Sequence, residues 1–525
     1  MPVIRVFPSG MDMRFEAGRH SDLLDLLTAN GVIIDSECGG KGSCGKCLVE
    51  LLSGALLDRD GAPAEPERGD MYLACRGVPA GDCEIRVIGR PGDSSILDGL
   101  IAGSIGVVAG GAGPADRLGL AVDVGTTTVV ALLADLDTRA PVAVRSETNP
   151  QRAFGADVVS RIAYSCETAG GRRGTDVLQE TVVCCINRLV KALCDESGQD
   201  ARRIERVVCA GNTAMQHFLV GITPEHLGMY PYEAEFKEIE PGPARSVGLE
   251  LEPGAVLQVL PNIHSYVGAD TVGCLLSIER RAIGACTLMI DMGTNTEMVL
   301  GADRKRVTCS AAAGPAFEGA HLEHGMRATA GAISSVWTDR HGNFEYRTVG
   351  AAPPLGICGS GIVDAVATMR RQGIVEECGR MPDRAQCVIV PAGESGTGHD
   401  ITVTRNDVRE IQLVKASIAT GIGFLLEETG SSIEQLEHIY VAGAFGNYLD
   451  IANARFIGLL PDIASERFEA VGDAALKGAY MVLTGGAEAL ERVHAIAYGT
   501  DHLELATRSG FQRRFLDNLD LEAYR

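Results

Sequence analysis

Leu118-Gly-Leu-Ala-Val-Asp123-Val-Gly125-Thr126-Thr127-Thr128 and Thr287-Leu-Met-Ile-Asp291-Met-Gly293-Thr294-Asn295-Thr296 are two versions of one pattern. Each is an apolar run of strand length that breaks at Asp-x-Gly-Thr. A continuous apolar run bounded by a turn signal predicts a strand buried on both faces. The turn that ends it offers backbone N–H groups and side-chain hydroxyls, the donors a phosphate oxygen accepts from. The Asp is suited to hold Mg²⁺ through water, because that ion keeps part of its hydration shell. One such motif is weak evidence, since many hairpins end in Asp-x-Gly. Two in one chain predict two similar lobes facing each other, about 119–285 and about 286–525.

From residue 119 onward, buried-strand runs alternate with helical patterns, which predicts an α/β architecture. Ile439-Tyr-Val-Ala-Gly443-Ala444-Phe-Gly446 reads as a strand turning through glycine into a helix, where bare backbone can lie beside a base or ribose. Ala311-Ala-Ala-Gly314-Pro-Ala-Phe-Glu318-Gly follows the second Asp-x-Gly-Thr run. Gly356-Ile-Cys-Gly359-Ser360-Gly361 reads as a loop opening a helix, hence an anion site, with simple packing as the alternative. Asn149 to Asp157 and Gly211-Asn212-Thr213-Ala-Met215-Gln-His217 are polar loops in otherwise apolar chain, suited to touch a phosphate or a partner, or to be buried turns.

Upstream lies a different kind of unit. Residues 2–7 and 12–16 alternate around Pro-Ser-Gly as a hairpin does, Ser21 is placed to cap a short apolar helix, and strands are predicted at 47–53 and 83–88. Between them, Cys38-Gly-Gly-Lys-Gly-Ser-Cys44-Gly-Lys-Cys47 spaces three thiols as C-x5-C-x2-C, and Cys75 follows in Tyr-Leu-Ala-Cys-Arg. Thiolates bind iron, and glycines let the chain wrap tightly and aim N–H groups at sulfur. Structural zinc is the rival, but zinc sites pair two C-x2-4-C knuckles and here Cys75 stands alone. The loop resembles the plant-type [2Fe–2S] ferredoxin domain, with five residues instead of four in the first gap. That resemblance implies an α+β, β-grasp head over 1–89 with Cys38, Cys44, Cys47 and Cys75 as metal ligands. Residues 90–118, rich in Gly, Ala and Ser, read as a flexible linker to the body at 119–525. Of the remaining cysteines, Cys184, Cys209, Cys274 and Cys286 read as small buried hydrophobes, and Cys83 as buried on the last strand of the head.

The 525 residues carry 47 Lys and Arg against 69 Asp and Glu, a formal net charge of −22. With no basic excess to replace counterions, nucleic acid and anionic membrane are excluded as partners. No apolar stretch is long enough to span a bilayer, and the chain is expected in the cytoplasm, its 16 cysteines as thiols and metal ligands.

The two Asp-x-Gly-Thr runs and the Gly443 turn, in that order, resemble the actin-like ATPase superfamily of sugar kinases, heat-shock chaperones and actin. The resemblance implies ATP and Mg²⁺ as ligands. Asp123, Gly125, Thr126, Thr127 and Thr128 would form the phosphate-1 loop, and Asp291, Gly293, Thr294 and Asn295 the phosphate-2 loop. Gly443, Ala444 and Gly446 would form the adenosine loop, with Gly314, Gly359, Ser360 and Gly361 closing the site. It also implies a polar residue on the helix ahead of phosphate-2 that positions the attacking water. In Val267-Gly-Ala-Asp270-Thr the candidate is Asp270, with helix capping as the alternative, so that Asp270, Asp123 and Asp291 are the expected catalytic carboxylates.

Over its whole length the chain resembles the reductive activators of corrinoid-dependent methyltransferase systems. That resemblance implies an enzyme that returns cob(II)alamin to cob(I)alamin with an electron from the cluster, driven by ATP. Its partners would be a corrinoid protein and an upstream low-potential electron donor, with a homodimer left open. Some members carry a middle domain between linker and phosphate-1. Here only 90–118 separates the two units, so the chain is read as lacking it. A small-molecule kinase with a redox-sensing cluster, or a nucleotide-switched scaffold or chaperone with a structural one, are the alternatives.

Overall fold

The computed structural model describes residues 3–524 except 8–10, 15–21, 31, 33, 35–39, 41, 43–46, 59, 68, 88–94, 108–114, 170, 283–284, 303–304, 444–445 and 447. In the head, β1 (Val3–Phe7) pairs antiparallel with β2 (Met11–Arg14), as the Pro-Ser-Gly break predicts. After α1 (Leu23–Ala29) come β3 (Leu48–Ser53), β4 (Met71–Leu73) and β5 (Cys83–Val87). They form one mixed sheet, β2-β1-β5-β3-β4, with β5 parallel to β1 and antiparallel to β3. The period-2 alternation of β5 turns Cys83, Ile85 and Val87 inward. Leu23, Leu24 and Leu27 share one face of α1 and join Ile4, Val6, Val49 and Ile85 in the core. Ser21 lies outside the described residues.

The stretch expected to be a flexible linker carries α2 (Ser95–Ile105), which is docked on the body. Asp98 is buried and accepts from Ser146 Oγ at 2.5 Å, beside Arg145 at 3.4 Å, and Ile101 enters the body's core. Apolar burial on one side of the helix and a buried charge-assisted hydrogen bond hold a segment whose composition alone suggested freedom.

The body is one topology used twice. In the first lobe, β6 (Leu118–Val124), β7 (Thr128–Asp135) and β8 (Pro141–Thr148) form an antiparallel meander. Helices α3 (Val158–Ser165) and α4 (Gly174–Ser197) follow, then β9 (Ile204–Gly211), α5 (Thr213–Val220), β10 (Val256–Val259) and α6 (Ala269–Ala282). In the second lobe, β11 (Thr287–Met292), β12 (Thr296–Ala302) and β13 (Lys305–Ala311) repeat the meander. The chain continues through α7 (Gly359–Arg371), α8 (Arg405–Thr429), β14 (His438–Ala442), β15 (Phe468–Gly472) and α9 (Ala474–Tyr498). The sheets run β8-β7-β6-β9-β10 and β13-β12-β11-β14-β15, each with a two-residue edge strand. In both, the first strand lies parallel to the fourth, and Asp123 and Asp291 hold equivalent registers, opposite Ala210 and Ala442.

The layers follow from which faces are apolar. β6 and β11 are buried almost throughout, as central strands covered on both sides must be. On the outer face of the first sheet, α4 packs Leu178, Val182, Ile186 and Leu189. The adjacent Cys184 is exposed, and Cys185 takes the inward position: about 100° of rotation per helical residue separates them, so the expectation for Cys184 is corrected. Between the sheets, α6 and α9 share a single core with Ala121, Val130 and Val208 of one lobe and Met289, Val299 and Tyr440 of the other. The two helices cross backbone to backbone: a Cβ on Gly478 would stand 2.2 Å from the Gly273 carbonyl oxygen. Gly478→Ala is therefore expected to cost about 1–3 kcal/mol of stability. Denaturant unfolding of that variant checks this, and an unchanged midpoint contradicts the close crossing.

Candidate functional site

The turn between β6 and β7 is tight. Gly125 N–H donates to the Thr128 carbonyl at 3.0 Å, and a Cβ at Gly125 would stand 2.6 Å from that same oxygen, so the position demands glycine. Both polar loops singled out in the sequence brace this turn. Asn149 Nδ2 donates to the Gly125 carbonyl at 2.8 Å, and Asn212 Nδ2 to Thr126 Oγ1 at 2.7 Å. Asn212 also caps α5, accepting from Met215 N–H. In the second lobe, Gly314 N–H donates to the Thr294 carbonyl at 2.9 Å, and Gly443, at φ 88°, lies close against Asp291, since a Cβ there would stand 3.1 Å from Asp291 Oδ1. Glu318 joins the two turns, accepting from Thr127 Oγ1 and from Thr294 Oγ1 at 2.5 Å each.

The turns face a cavity of about 330 Å³ between the lobes. Of the sequence-predicted residues, Asp123, Gly125, Thr126, Thr127, Thr128, Asp270, Asp291, Gly293, Thr294, Asn295, Gly359, Ser360 and Gly443 line it. Gly314, Gly361 and Gly446 do not. Gly361 instead packs α7 against the second lobe, since a Cβ there would stand 2.1 Å from the Ile333 carbonyl oxygen. Ala444 lies outside the described residues.

Asp473 and Glu297 also line the cavity, and sequence reasoning missed both. Asp473 caps α9, accepting from Leu476 N–H at 2.9 Å, and its local pattern is that of any N-cap. Glu297 is a charge inside an otherwise apolar strand, one signal that pointed to it. Asp270 sits in the first turn of α6, inside the helix and not at its cap. Burial first, and then the neighbouring carboxylates, raise Asp123, Asp270, Asp473 and Glu297 above the ordinary range. Burial pushes Asp291 up to about 6, against a hydrogen bond from Cys274 that lowers it. Asp123 Oδ1 is buried with no hydrogen-bond partner. Carboxylate oxygens gathered this way, one of them unsatisfied, suit a hard divalent cation. The first turns of α6 and α9 also end at the cavity, where helix dipoles favour phosphate.

In the head, Cys47 and Cys75 are buried with their sulfurs 3.2 Å apart, well beyond a disulfide bond. Cys38 and Cys44 lie outside the described residues. Gly40 and Gly42 beside them have φ of 82° and 76°, and Arg76 Nη2 donates to the Gly42 carbonyl at 2.6 Å. Two converging buried thiols beside a glycine-bent loop are donors of the kind an iron–sulfur group takes. Cys83 stays apart as a core residue, its thiol pushed by burial to about 11.

Three family descriptions match the chain: a 2Fe-2S iron–sulfur cluster binding domain over 6–80, the RACo middle region over 118–281, and the C-terminal, ASKHA domain of RACo over 285–524. The middle region thus coincides with the first lobe, which corrects the expectation that the chain lacks it. The corrinoid activation enzyme RamQ of Eubacterium limosum is 36% identical over 419 residues, 76% of this chain and 70% of RamQ. The [Co(II) methylated amine-specific corrinoid protein] reductase of Methanosarcina barkeri is 27% identical over 439 residues, 76% of each chain. Among solved structures, a reductive activator for corrinoid,iron-sulfur protein superposes with a TM-score of 0.71 at 30% identity, covering 100% of this chain and 99% of that one.

The raised carboxylates set a pH test. Groups that bind protons more tightly folded than unfolded lose their stabilising contribution as pH rises through the folded value, about 6 for Asp291. A cation must displace those protons, so it binds more strongly at higher pH. Mg²⁺ is expected to raise the melting temperature more at pH 8 than at pH 5, and less in Asp291→Asn at either. Equal increments at the two pH values contradict a carboxylate cation site.

Proposed function

We propose how this chain works from one premise: it belongs to the RACo-type family of reductive activators of corrinoid proteins. It is an ATP-dependent enzyme that reduces the Co(II) state of a corrinoid protein to Co(I), built from a [2Fe–2S] head and an actin-like ATPase body. The observation that carries the division of labour is the convergence of both Asp-x-Gly-Thr turns on one buried, carboxylate-lined cavity, in a chain headed by paired buried thiols.

In this reading Cys38, Cys44, Cys47 and Cys75 hold the cluster. Once bound, it supplies single electrons at low potential, near about −400 mV for this type. Asp123 and Asp291 would hold Mg²⁺, and Thr126, Thr127, Thr128, Thr294 and Asn295 would donate to the phosphates. Gly359 and Ser360, at the start of α7, close the phosphate side, and Gly443 leaves room for the nucleoside. Asp270, ionised when a cation neutralises its neighbours, would orient the water that attacks the terminal phosphate, and a bound Mg²⁺ would supply charge compensation there. Delivering an electron to a lower-potential cobalt is uphill by about 2.3 kcal/mol per 100 mV. ATP turnover covers that only by changing which state of the complex is populated. A separate low-potential donor recharges the head, and the free thiols of the described cysteines suit the cytoplasm. In the described residues no helix is long and apolar enough to cross a membrane.

The test separates the two halves. With a purified corrinoid protein in its Co(II) state, excess reductant and Mg-ATP under anaerobic conditions, visible spectroscopy should follow the Co(I) band. Cys75→Ala is expected to abolish its appearance and keep nucleotide binding, and Asp291→Ala to lose nucleotide binding and keep the iron content. A Cys75→Ala chain that still reduces cobalt contradicts the role given to the head.

A further inference from the structure

Glu318 ends the short helical turn Pro315–Glu318 of the second lobe. Its carboxylate accepts from Thr127 Oγ1 across the cleft and from Thr294 Oγ1 in its own lobe, each at 2.5 Å. These are the hydroxyls to which the phosphate-binding reading assigns the nucleotide's phosphates. A carboxylate and a phosphate both need such donors, and two anions cannot share one pair of hydroxyls without strong repulsion.

A second observation lies in α3. Arg161 is fully buried. Its Nε donates to the Gly155 carbonyl at 2.8 Å and Nη1 rests 3.4 Å from Met215 Sδ, while Nη2 has no hydrogen-bond partner. A buried guanidinium with an open donor is costly unless an anion reaches it. Burial, and then the charge of Arg152, lowers the Arg161 guanidinium to about 9. Of the two carboxylates that oppose this, Glu318 acts more strongly than Asp157.

We infer that Glu318 is a specificity-determining residue that distinguishes nucleoside triphosphate from diphosphate, by occupying Thr127 and Thr294 until a terminal phosphate displaces it toward Arg161. With no nucleotide, or with a diphosphate, the carboxylate bridges the two turns and holds the lobes together. A third phosphoryl group takes over both hydroxyls, and the released carboxylate meets the open Nη2. The cleft stays bridged, but by the nucleotide, and the turn before Gly319 moves with its carboxylate. This inference rests on the assignment of the two turns to the phosphates.

The experiment is calorimetric titration of the full-length, cluster-loaded chain with Mg-ADP and with a non-hydrolysable Mg-ATP analogue. Glu318→Ala is expected to tighten the triphosphate by about ten-fold, the equivalent of one charge-assisted contact no longer contested, and to leave the diphosphate unchanged. Glu318→Gln, which keeps the shape and drops the charge, should move in the same direction, so a packing defect in the alanine variant does not decide the result. Arg161→Met should weaken only the triphosphate, and that effect should vanish in the Glu318→Ala background. Looser triphosphate binding in Glu318→Gln, or equal shifts for both nucleotides, overturns the inference. A wild-type chain that binds neither nucleotide overturns the phosphate assignment, and this inference with it.

Discussion

Four half-buried aspartates and a buried glutamate line one cavity, and their mutual repulsion and desolvation constrain the body around them. Such a cluster is unfavourable when ionised and empty. It is tolerated because each group is fixed by structure that is stable without it. Asp123 and Asp291 end central strands, Asp270 and Asp473 open helices, and Glu297 sits in a strand with Ser310 as its partner at 3.1 Å. The sheets and the α6–α9 layer hold these ends together, so strain at the site is set against the burial of three continuous cores. A cation offsets that repulsion, and only with it in place can phosphates approach the carboxylates.

The repeat of one sheet order in both lobes explains why the site lies where it does. In each lobe the first and fourth strands run parallel and end side by side. One end carries the Asp-x-Gly-Thr turn. Beside it stands a close backbone approach, Gly211-Asn212 in the first lobe and Gly443 in the second. Facing the two ends toward each other creates a cleft lined twice by the same chemistry, and Glu318 and α9 then make the lobes unequal. Helix α2 extends this arrangement toward the head: Ile101 lines the cavity and Asp98 anchors the helix to β8. The segment joining the head to the body therefore touches the cavity between the lobes.

Much of this was legible in the sequence where the signal was local. The hairpin of the head, the strand-and-turn of both phosphate loops, the helix opening at Gly359 and the inward Cys83 all depend on periodicity, turn chemistry or spacing within a dozen residues. What escaped depends on tertiary convergence. Asp473 is an ordinary helix cap until α9 aims it at the cavity, and Glu318 an ordinary turn residue until two loops from different lobes reach it. Residues 95–105 have the composition of a linker, and the pairing of Asp98 with Ser146 and Arg145 together with the burial of Ile101 docks them. Cys184 reads as buried in the sequence and is exposed, because adjacent helical positions look alike until the buried face is known.

The central claim is that cleavage of phosphate in the body is coupled to electron delivery from the head. Its most direct measurement is a single-turnover anaerobic experiment that counts phosphate released against cob(I) formed, with the cluster reduced in advance. The account predicts cob(I) only with hydrolysable Mg-ATP, in a fixed ratio to phosphate released, and none with a non-hydrolysable analogue. Cob(I) accumulating to the same extent without nucleotide would contradict it.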